Sequence, residues 1–139
     1  MTEPKWSEDW SDEGVDWRDA TKDASMARDW IANERLYRGH GPAVPAGYNM
    51  DLDARVLELV LTDLDPERGW SLVLMFLGMT EDEEDFKTVA IGPLETFVRE
   101  HGDAFYDRID ERVQADEAFR RAVMMTITKW PGPHSRPPE

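Results

Sequence analysis

Apolar residues recur at every third or fourth position along most of the chain, the spacing that places them on one face of an α-helix. The run from Trp70 to Leu77 is the most apolar, and we expect it to form a central helix buried on most sides. No convincing pair of strands is present. The most regular helical face follows Asp116 and comprises Phe119, Ala122, Val123, Thr126, Ile127 and Trp130. The pattern predicts an all-α fold, either a single-domain bundle or a short array of about seven helices.

Several helix N-termini are indicated by a capping residue placed before an apolar face. Asp65-Pro66 combines an N-cap with proline at the first helical position, and Asp116 is an N-cap of the same kind. We expect Asp51 or Asp53 to begin the helix before Asp65, and a further helix to span about residues 20–38.

The middle of the chain contains further residues that are expected to begin or end helices. Thr80 and Glu83 have the spacing of a capping box, which predicts a short helix. Gly92 is expected to end that helix. Pro93 is expected to begin the next one, which Gly102 ends.

These boundaries predict three parts of unequal size. Residues 1–19 form an acidic N-terminal arm, residues 20–130 the helical domain, and residues 131–139 a tail that we expect to be disordered. Residues 39–50 contain three glycines, two prolines and no charge, which predicts a loop inside the domain.

A family resemblance rests on a motif and its flanking segments. Gly92-Pro93-Leu94-Glu95 is followed, after five residues, by His101-Gly102. Together with the segment from Asp65 to Trp70 and the helix from Asp116 to Trp130, this motif resembles a bacterial helical family of unknown function over about residues 26–130. The resemblance implies a bacterial origin and an all-helical fold, and it implies no activity.

The net charge indicates the class of partner more clearly than any sequence motif does. Thirty acidic residues against sixteen basic ones give a formal net charge of -14. Such a surface repels nucleic-acid phosphates and anionic lipids and attracts basic proteins. We therefore expect a basic protein partner, no direct binding of nucleic acid and no association with a membrane.

The composition excludes several kinds of reactive or metal-binding site and indicates where the protein is located. The chain has no cysteine, which excludes disulfides, a thiol nucleophile and thiolate metal ligands. No apolar run approaches the ~20 residues that span a bilayer, and the acidic start is unlike a signal peptide. We expect a soluble cytoplasmic protein that needs no cofactor.

Acidic residues are concentrated in blocks. Residues 1–25 carry a net charge of -5, residues 51–65 and 81–92 carry -4 each, and residues 102–116 carry -3. Carboxylates in a first helical turn stabilise the helix, so some of these blocks have a local explanation. The alternative is a surface for a basic partner, with these candidates: Glu81, Asp82, Glu84, Asp85, Asp103, Asp107 and Glu111.

Within that set, Asp103, Asp107 and Glu111 follow each other at intervals of four residues. In a helix this spacing places three carboxylates in one line, which we call the acidic stripe. Arg108 and Arg112 lie beside it and no calcium-loop pattern is present, so a solvated helix face is the simpler interpretation. The alternatives are a partner surface that mimics spaced phosphates and a site for a divalent cation.

Three tryptophans in the arm are further candidates for partner binding. Trp6, Trp10 and Trp17 would share one face if the arm were helical, and acidic residues surround them. Exposed tryptophans with an acidic rim suit a binding hot spot for a basic partner. In the alternative, the same side chains fold back and complete the core.

Of the three histidines, His101 comes closest to a catalytic or metal site. His101 has Glu95, Glu100 and Asp103 nearby in sequence, but no second histidine lies at a ligand spacing. A histidine in the last turn of a helix, before a capping glycine, is the simpler interpretation. Glu95 is likewise expected to pair with Arg99. We predict no catalytic, cofactor-binding or metal-ligating residue.

Three functions remain. The first is a non-enzymatic inhibitor or immunity-type protein that neutralises a basic partner such as a nuclease toxin. The second is a general protein-interaction module, or a mimic of nucleic-acid charge. The third is a small hydrolase or metal enzyme, in which buried carboxylates would converge with His101 on a pocket.

Overall fold

The computed structural model describes residues 6–11, 13–38 and 43–126, and all structural statements below concern these residues. They contain no β-strand, which confirms the predicted all-α fold. Seven α-helical segments follow each other along the chain: α1 (Asp23–Tyr37), α2 (Met50–Leu61), α3 (Pro66–Gly78), α4 (Glu83–Val89), α5 (Glu95–His101), α6 (Tyr106–Ala115) and α7 (Glu117–Met124). A short 3₁₀-helix, Ala20–Lys22, precedes α1.

Two predicted helix starts are confirmed at the level of single hydrogen bonds. The Asp65 carboxylate accepts from the backbone N–H of Arg68, and Pro66 is the first residue of α3. The Asp116 carboxylate accepts from the backbone N–H of Phe119 at the start of α7. Each cap satisfies a backbone donor that has no partner within the helix.

Two other predicted starts are wrong by a few residues. Asn49, rather than Asp51 or Asp53, caps α2, because its side chain accepts from the N–H of Leu52. Asp82, rather than Thr80, caps α4. The Thr80 hydroxyl is used elsewhere, since it donates to the carbonyl of Leu77 at the end of α3.

The predicted break between Gly92 and Pro93 is also wrong. Residues Ala90–Leu94 form a turn of π-helix that joins α4 to α5 without interruption, so the seven α-helical segments make six continuous helices. Proline has no N–H and cannot bond to the carbonyl four residues earlier. The wider turn accommodates it, and the N–H of Glu95 donates to the carbonyl of Ala90, five residues back.

Helix α3 is central, as its apolar sequence predicts. It contacts α1, α2, α4, α5 and the π-helical turn. Trp70 and Val73 belong to a core cluster shared with α5, α6 and α7, whereas Leu72 and Phe76 belong to a cluster shared with α1 and α2. The two clusters meet at α3, so burying this helix joins the halves of the molecule.

The last helix is shorter in the described region than the sequence pattern suggests. Helix α7 ends at Met124, and the Thr126 hydroxyl donates to the carbonyl of Val123 just beyond it. Ile127, Trp130 and the predicted tail 131–139 lie outside the described residues. None of the described helices is long and apolar enough to cross a membrane.

Candidate functional site

The tryptophan segment, residues 6–19, lies against the domain without being helical. The described residues before Ala20 form turns and bends rather than a helix, so Trp6, Trp10 and Trp17 do not share a helical face. Trp10 is only 1% exposed and packs in the cluster of α1, α2 and α3, with Trp6 and Trp17 partly buried against it. The Trp10 and Trp17 rings lie 5.7 Å apart.

Hydrogen bonds hold this segment at both ends. The buried carboxylate of Asp29 on α1 accepts from the Trp10 indole N–H (2.8 Å) and from the backbone N–H and hydroxyl of Ser7 (2.7 Å each). Arg68 on α3 donates to the carbonyl of Trp17 (2.6 Å) and pairs with Asp23 (2.8 Å). The tryptophans therefore fold back onto the domain, which is the second of the two alternatives for the arm. Trp10 is buried and is not exposed for contact with a partner.

The acidic run at the start of α4 contains one buried carboxylate. The Asp85 side chain is 0% exposed and binds Arg35 through two hydrogen bonds of 3.0 and 2.5 Å. It also pairs with Arg38 and accepts from the backbone N–H of Glu81. The hydrogen bonds from Arg35 hold the pKa of Asp85 well below its usual range. Asp85 therefore ties α4 to α1, and its burial removes it from any surface for a partner.

The exposed carboxylates of the same run face cations of this chain. Glu81 lies 3.3 Å from Arg35, and Asp82 lies 3.1 Å from Arg38. Glu83 pairs with Arg121 of α7, and Glu84 lies 4.0 Å from Lys87. Most of the charge at 81–85 is thus compensated within the protein, which weakens Glu81, Asp82 and Glu84 as candidates for a partner surface.

The acidic stripe is exposed, but only part of it is helical. Asp107 and Glu111 lie one turn apart on α6, whereas Asp103 lies in the turn before this helix. The prediction of three carboxylates on a single helix is therefore wrong for Asp103. The reason is that α5 ends at His101 and α6 begins only at Tyr106, so Asp103 falls in the turn between the two helices.

The two arginines of α6 are directed away from the stripe. Arg108 pairs with Glu67 of α3, and its guanidinium lies 4.9 Å from the centre of the Phe105 ring. Arg112 lies 3.3 Å from Asp116 and 6.0 Å from the Phe119 ring. Each arginine therefore covers an aromatic ring of the core and binds a carboxylate outside the stripe.

His101 is buried and packs against core side chains. Its ring lies 4.9 Å from that of Phe97, and its Nε2 lies 3.1 Å from the carbonyl of Val60. Of its neighbours in sequence, Glu95 pairs with Arg99 as predicted, and Glu100 and Asp103 are exposed. The carboxylates near His101 in sequence thus do not converge with it. In the described part of the chain, no group of three or more His, Asp or Glu side chains could hold a metal ion.

A cleft of about 320 Å³ lies between the tryptophan segment and the α2–α3 turn. Leu59 and the 96%-exposed Leu64 supply apolar lining, and Trp17, Arg55 and Arg68 form much of the rest. Arg55 pairs with Glu58 and Arg68 with Asp23, so the cleft has no surplus of positive charge. The sequence does not reveal this cleft, because its walls come from three separate segments.

A second feature missed from the sequence is a pair of acids between α1 and α2. Glu34 on α1 and Asp53 on α2 lie close enough for their carboxyl groups to interact. The Tyr48 hydroxyl donates to Glu34 (3.3 Å) and the Trp30 indole N–H donates to Asp53 (3.1 Å). Burial, followed by the interaction with the Asp53 carboxyl, raises the pKa of Glu34 to about 8. Trp30 and Glu34 are one helical turn apart, but nothing in the sequence pairs them with Asp53.

The comparison with known proteins identifies a family. Residues 51–129 match the family of unknown function DUF6869, and this match spans more than half of the 139 residues, so the chain belongs to that family. No curated protein and no solved structure matches the chain. This membership agrees with the expectation that the chain belongs to an uncharacterised family. The acidic stripe lies within the matched residues, whereas the tryptophan segment and α1 precede them.

Proposed function

We propose that this chain is a non-enzymatic binding protein whose acidic stripe engages a basic protein. Its most specific form is an inhibitor of the immunity type, which occludes a basic partner such as a nuclease toxin in the bacterial cytoplasm. The observation that carries the proposal is the arrangement of charge on α6. The stripe is exposed, and the two arginines beside it bind carboxylates elsewhere.

The contrast with the start of α4 makes the stripe the better candidate. At 81–85 five carboxylates face Arg35, Arg38, Lys87 and Arg121 of the same chain, so little charge remains for a partner. In the part of the chain described here, Asp103 and Glu111 form no ion pair. Asp103 and Glu111 are exposed, so they can attract a cationic surface with little rearrangement and increase the rate of encounter.

Neutralising the stripe is expected to slow association with the partner. The partner is first isolated from the native host by affinity capture on the wild-type protein, and its binding kinetics are then measured. Because each carboxylate contributes to a long-range attraction, the triple variant Asp103→Asn, Asp107→Asn, Glu111→Gln should lower the association rate roughly tenfold. Dissociation should change much less.

A second triple variant controls for net charge. Glu81→Gln, Glu84→Gln and Glu117→Gln remove the same number of charges from exposed carboxylates that lie within 4.0 Å of a cation of this chain. We expect this variant to keep most of the wild-type association rate. Equal rates for the two triple variants would mean that only total charge matters and would contradict a specific surface.

Salt provides an independent test of the same attraction. At ~0.15 M salt the Debye length is ~8 Å, and at ~1 M it is ~3 Å. Raising the salt concentration over this range should slow association at least tenfold if charge steers the encounter. An association rate that does not depend on salt would leave the acidic surface a role in solubility only.

A mimic of nucleic-acid charge is the second candidate, and the spacing on α6 favours it. Asp107 and Glu111 are separated by one turn, a rise of about 6 Å along the helix axis. Repeated anions on an exposed face would suit a protein that normally binds DNA. Competition decides between the candidates: DNA should displace this chain from a DNA-binding partner, whereas a toxin should lose its activity when this chain binds.

A further inference from the structure

The cleft beside the tryptophan segment opens next to the acidic stripe. We propose that this cleft receives one apolar side chain from a basic segment of the partner protein, and that Leu64 at its edge is the main contact. The inference rests on the proposed function and deepens it, because it names the kind of partner segment that this acidic side of the molecule holds. The stripe attracts the partner, and the cleft retains it.

Contacts between helices place the cleft and the stripe on one continuous surface. In the α2–α3 turn, Asp63 Oδ1 lies 3.7 Å from Nδ1 of His101 at the end of α5. The stripe begins at Asp103, two residues after this histidine. Glu67 in the first turn of α3 pairs with Arg108 of α6. The α2–α3 turn therefore borders both the cleft and the stripe.

Leu64 is a large apolar side chain held in water at the edge of the cleft. It is almost fully exposed, and its backbone N–H donates to the Thr62 hydroxyl oxygen (3.1 Å). This local turn fixes the backbone from which the leucine side chain extends. Leu59, which is partly buried, continues the apolar surface into the cleft. An apolar side chain of a partner would remove this surface from water, which favours binding.

Trp17 forms another wall of the cleft, and contacts with the domain fix its position. Arg68 donates to its backbone carbonyl (2.6 Å), and its ring lies 5.7 Å from the ring of buried Trp10. The Arg55 guanidinium lies 6.0 Å from the centre of the Trp17 ring. A wall that is already ordered loses little conformational entropy when a side chain enters the cleft.

The cleft suits an apolar occupant because its cations are already paired. Each of the three arginines that line it binds a carboxylate of this chain: Arg18 with Asp16 (3.2 Å), Arg55 with Glu58 (2.6 Å) and Arg68 with Asp23 (2.8 Å). A small polar ligand needs polar groups that converge on it, and these groups bind each other instead. The volume of about 320 Å³ is at the lower end of the ~300–1,000 Å³ range of ligand pockets, which suits a single side chain.

Charge at the edge of the cleft selects a basic segment. Asp63 and Asp65 flank Leu64 in the sequence, and both are exposed, although Asp65 also caps α3. A lysine or arginine beside the inserted side chain would meet these carboxylates, whereas an acidic segment would be repelled. A partner segment with one apolar residue between basic residues therefore complements both the cleft and its edge.

Leu64→Ala tests the cleft on the partner captured with the wild-type protein. Because the leucine makes its contact only in the bound state, the variant should dissociate roughly tenfold faster while its association rate stays near that of the wild type. Leu61→Ala is the matched control, since Leu61 is also exposed but does not line the cleft, and it should behave as the wild type. Leu64→Ala should keep the wild-type melting temperature, which separates lost binding from lost folding.

This test is distinguishable from the test of the stripe, because the stripe acts on association and Leu64 on dissociation. If Leu64→Ala dissociates at the wild-type rate while the stripe variant associates slowly, the cleft proposal is overturned and the proposed function stands. If Leu64→Ala dissociates faster while the stripe variant associates at the wild-type rate, the cleft is supported and the stripe is contradicted.

A synthetic peptide tests the cleft without the natural partner. Acetyl-Lys-Lys-Phe-Lys-Lys-amide, added to the ¹⁵N-labelled full chain, should shift the backbone amide resonance of Leu64 and the indole resonance of Trp17. Peptides with Ala in place of Phe, or with Glu in place of each Lys, should bind roughly tenfold more weakly.

The peptide series also identifies other occupants of the cleft. Equal binding of the Phe and Ala peptides would overturn the apolar contact, and equal binding of the Lys and Glu peptides would overturn the basic partner. A first peptide that shifts neither resonance would overturn the proposal as a whole. Self-association of the wild type that Leu64→Ala abolishes would assign the cleft to a second copy of this chain, which also overturns it.

Discussion

Replacing Trp10 with alanine should lower the free energy of unfolding by about 3–5 kcal/mol, the usual cost of truncating a buried aromatic side chain. Trp10 is almost fully buried among side chains of α1, α2 and α3, so its removal leaves a cavity in the core. It also removes one of the three hydrogen bonds that Asp29 accepts. Equilibrium denaturation in urea measures the loss directly.

Two further variants make this prediction specific. Trp10→Phe keeps most of the volume but removes the indole N–H, and a loss of about 1–2 kcal/mol is expected from the hydrogen bond to Asp29. Arg18→Ala, at an exposed position of the same segment, should change stability by less than about 0.5 kcal/mol. A stable Trp10→Ala variant that instead loses its partner would show that the segment serves binding rather than folding.

Replacing Asp85 with asparagine should have the second largest effect. Removing one partner of a fully buried ion pair costs about 3–5 kcal/mol. Arg35 and Arg38 each keep about a third of their surface in water, which lowers the cost, so we expect about 2–4 kcal/mol at neutral pH. Thermal or urea denaturation of the variant beside Glu84→Gln, an exposed acid of the same run, measures the difference.

The effect of Asp85 on stability should depend on pH. Its folded-state pKa is lowered, so its contribution is present above the ordinary pKa of about 3.9 and is lost as pH falls below it. The stability difference between wild type and Asp85→Asn should therefore be largest near neutral pH and should shrink in acid. A difference that stays constant down to about pH 2 would contradict the ion pair.

Features that depend on neighbouring residues were predictable in part. Asp65 and Asp116 were identified as helix caps because an N-cap bonds to a backbone N–H only three residues away. Thr80 failed as a cap because Asp82, two residues later, competes for the same role and Thr80 has the Leu77 carbonyl as an alternative partner. The break at Pro93 failed because one π-helical turn accommodates a proline that a regular helix excludes.

Features that depend on residues far apart in sequence were not predictable. Within the acidic run at 81–85, nothing local distinguishes buried Asp85 from exposed Glu84, because Arg35 and Arg38 lie about 50 residues away. The Trp10–Asp29 hydrogen bond likewise joins separate segments. Turns and the packing of Trp10 against α1, α2 and α3 place the tryptophans of the arm, and helical periodicity carries no information about that packing.

The arrangement of charge on α6 also affects the orientation in which a charged partner approaches. Its exposed acids and its ring-covering arginines lie on different sides of the helix, so the helix carries a dipole moment across its axis as well as along it. A uniform negative charge attracts a cationic body without regard to its orientation. A transverse dipole also exerts a torque, and a body with its own uneven charge distribution is rotated toward one docking angle before contact.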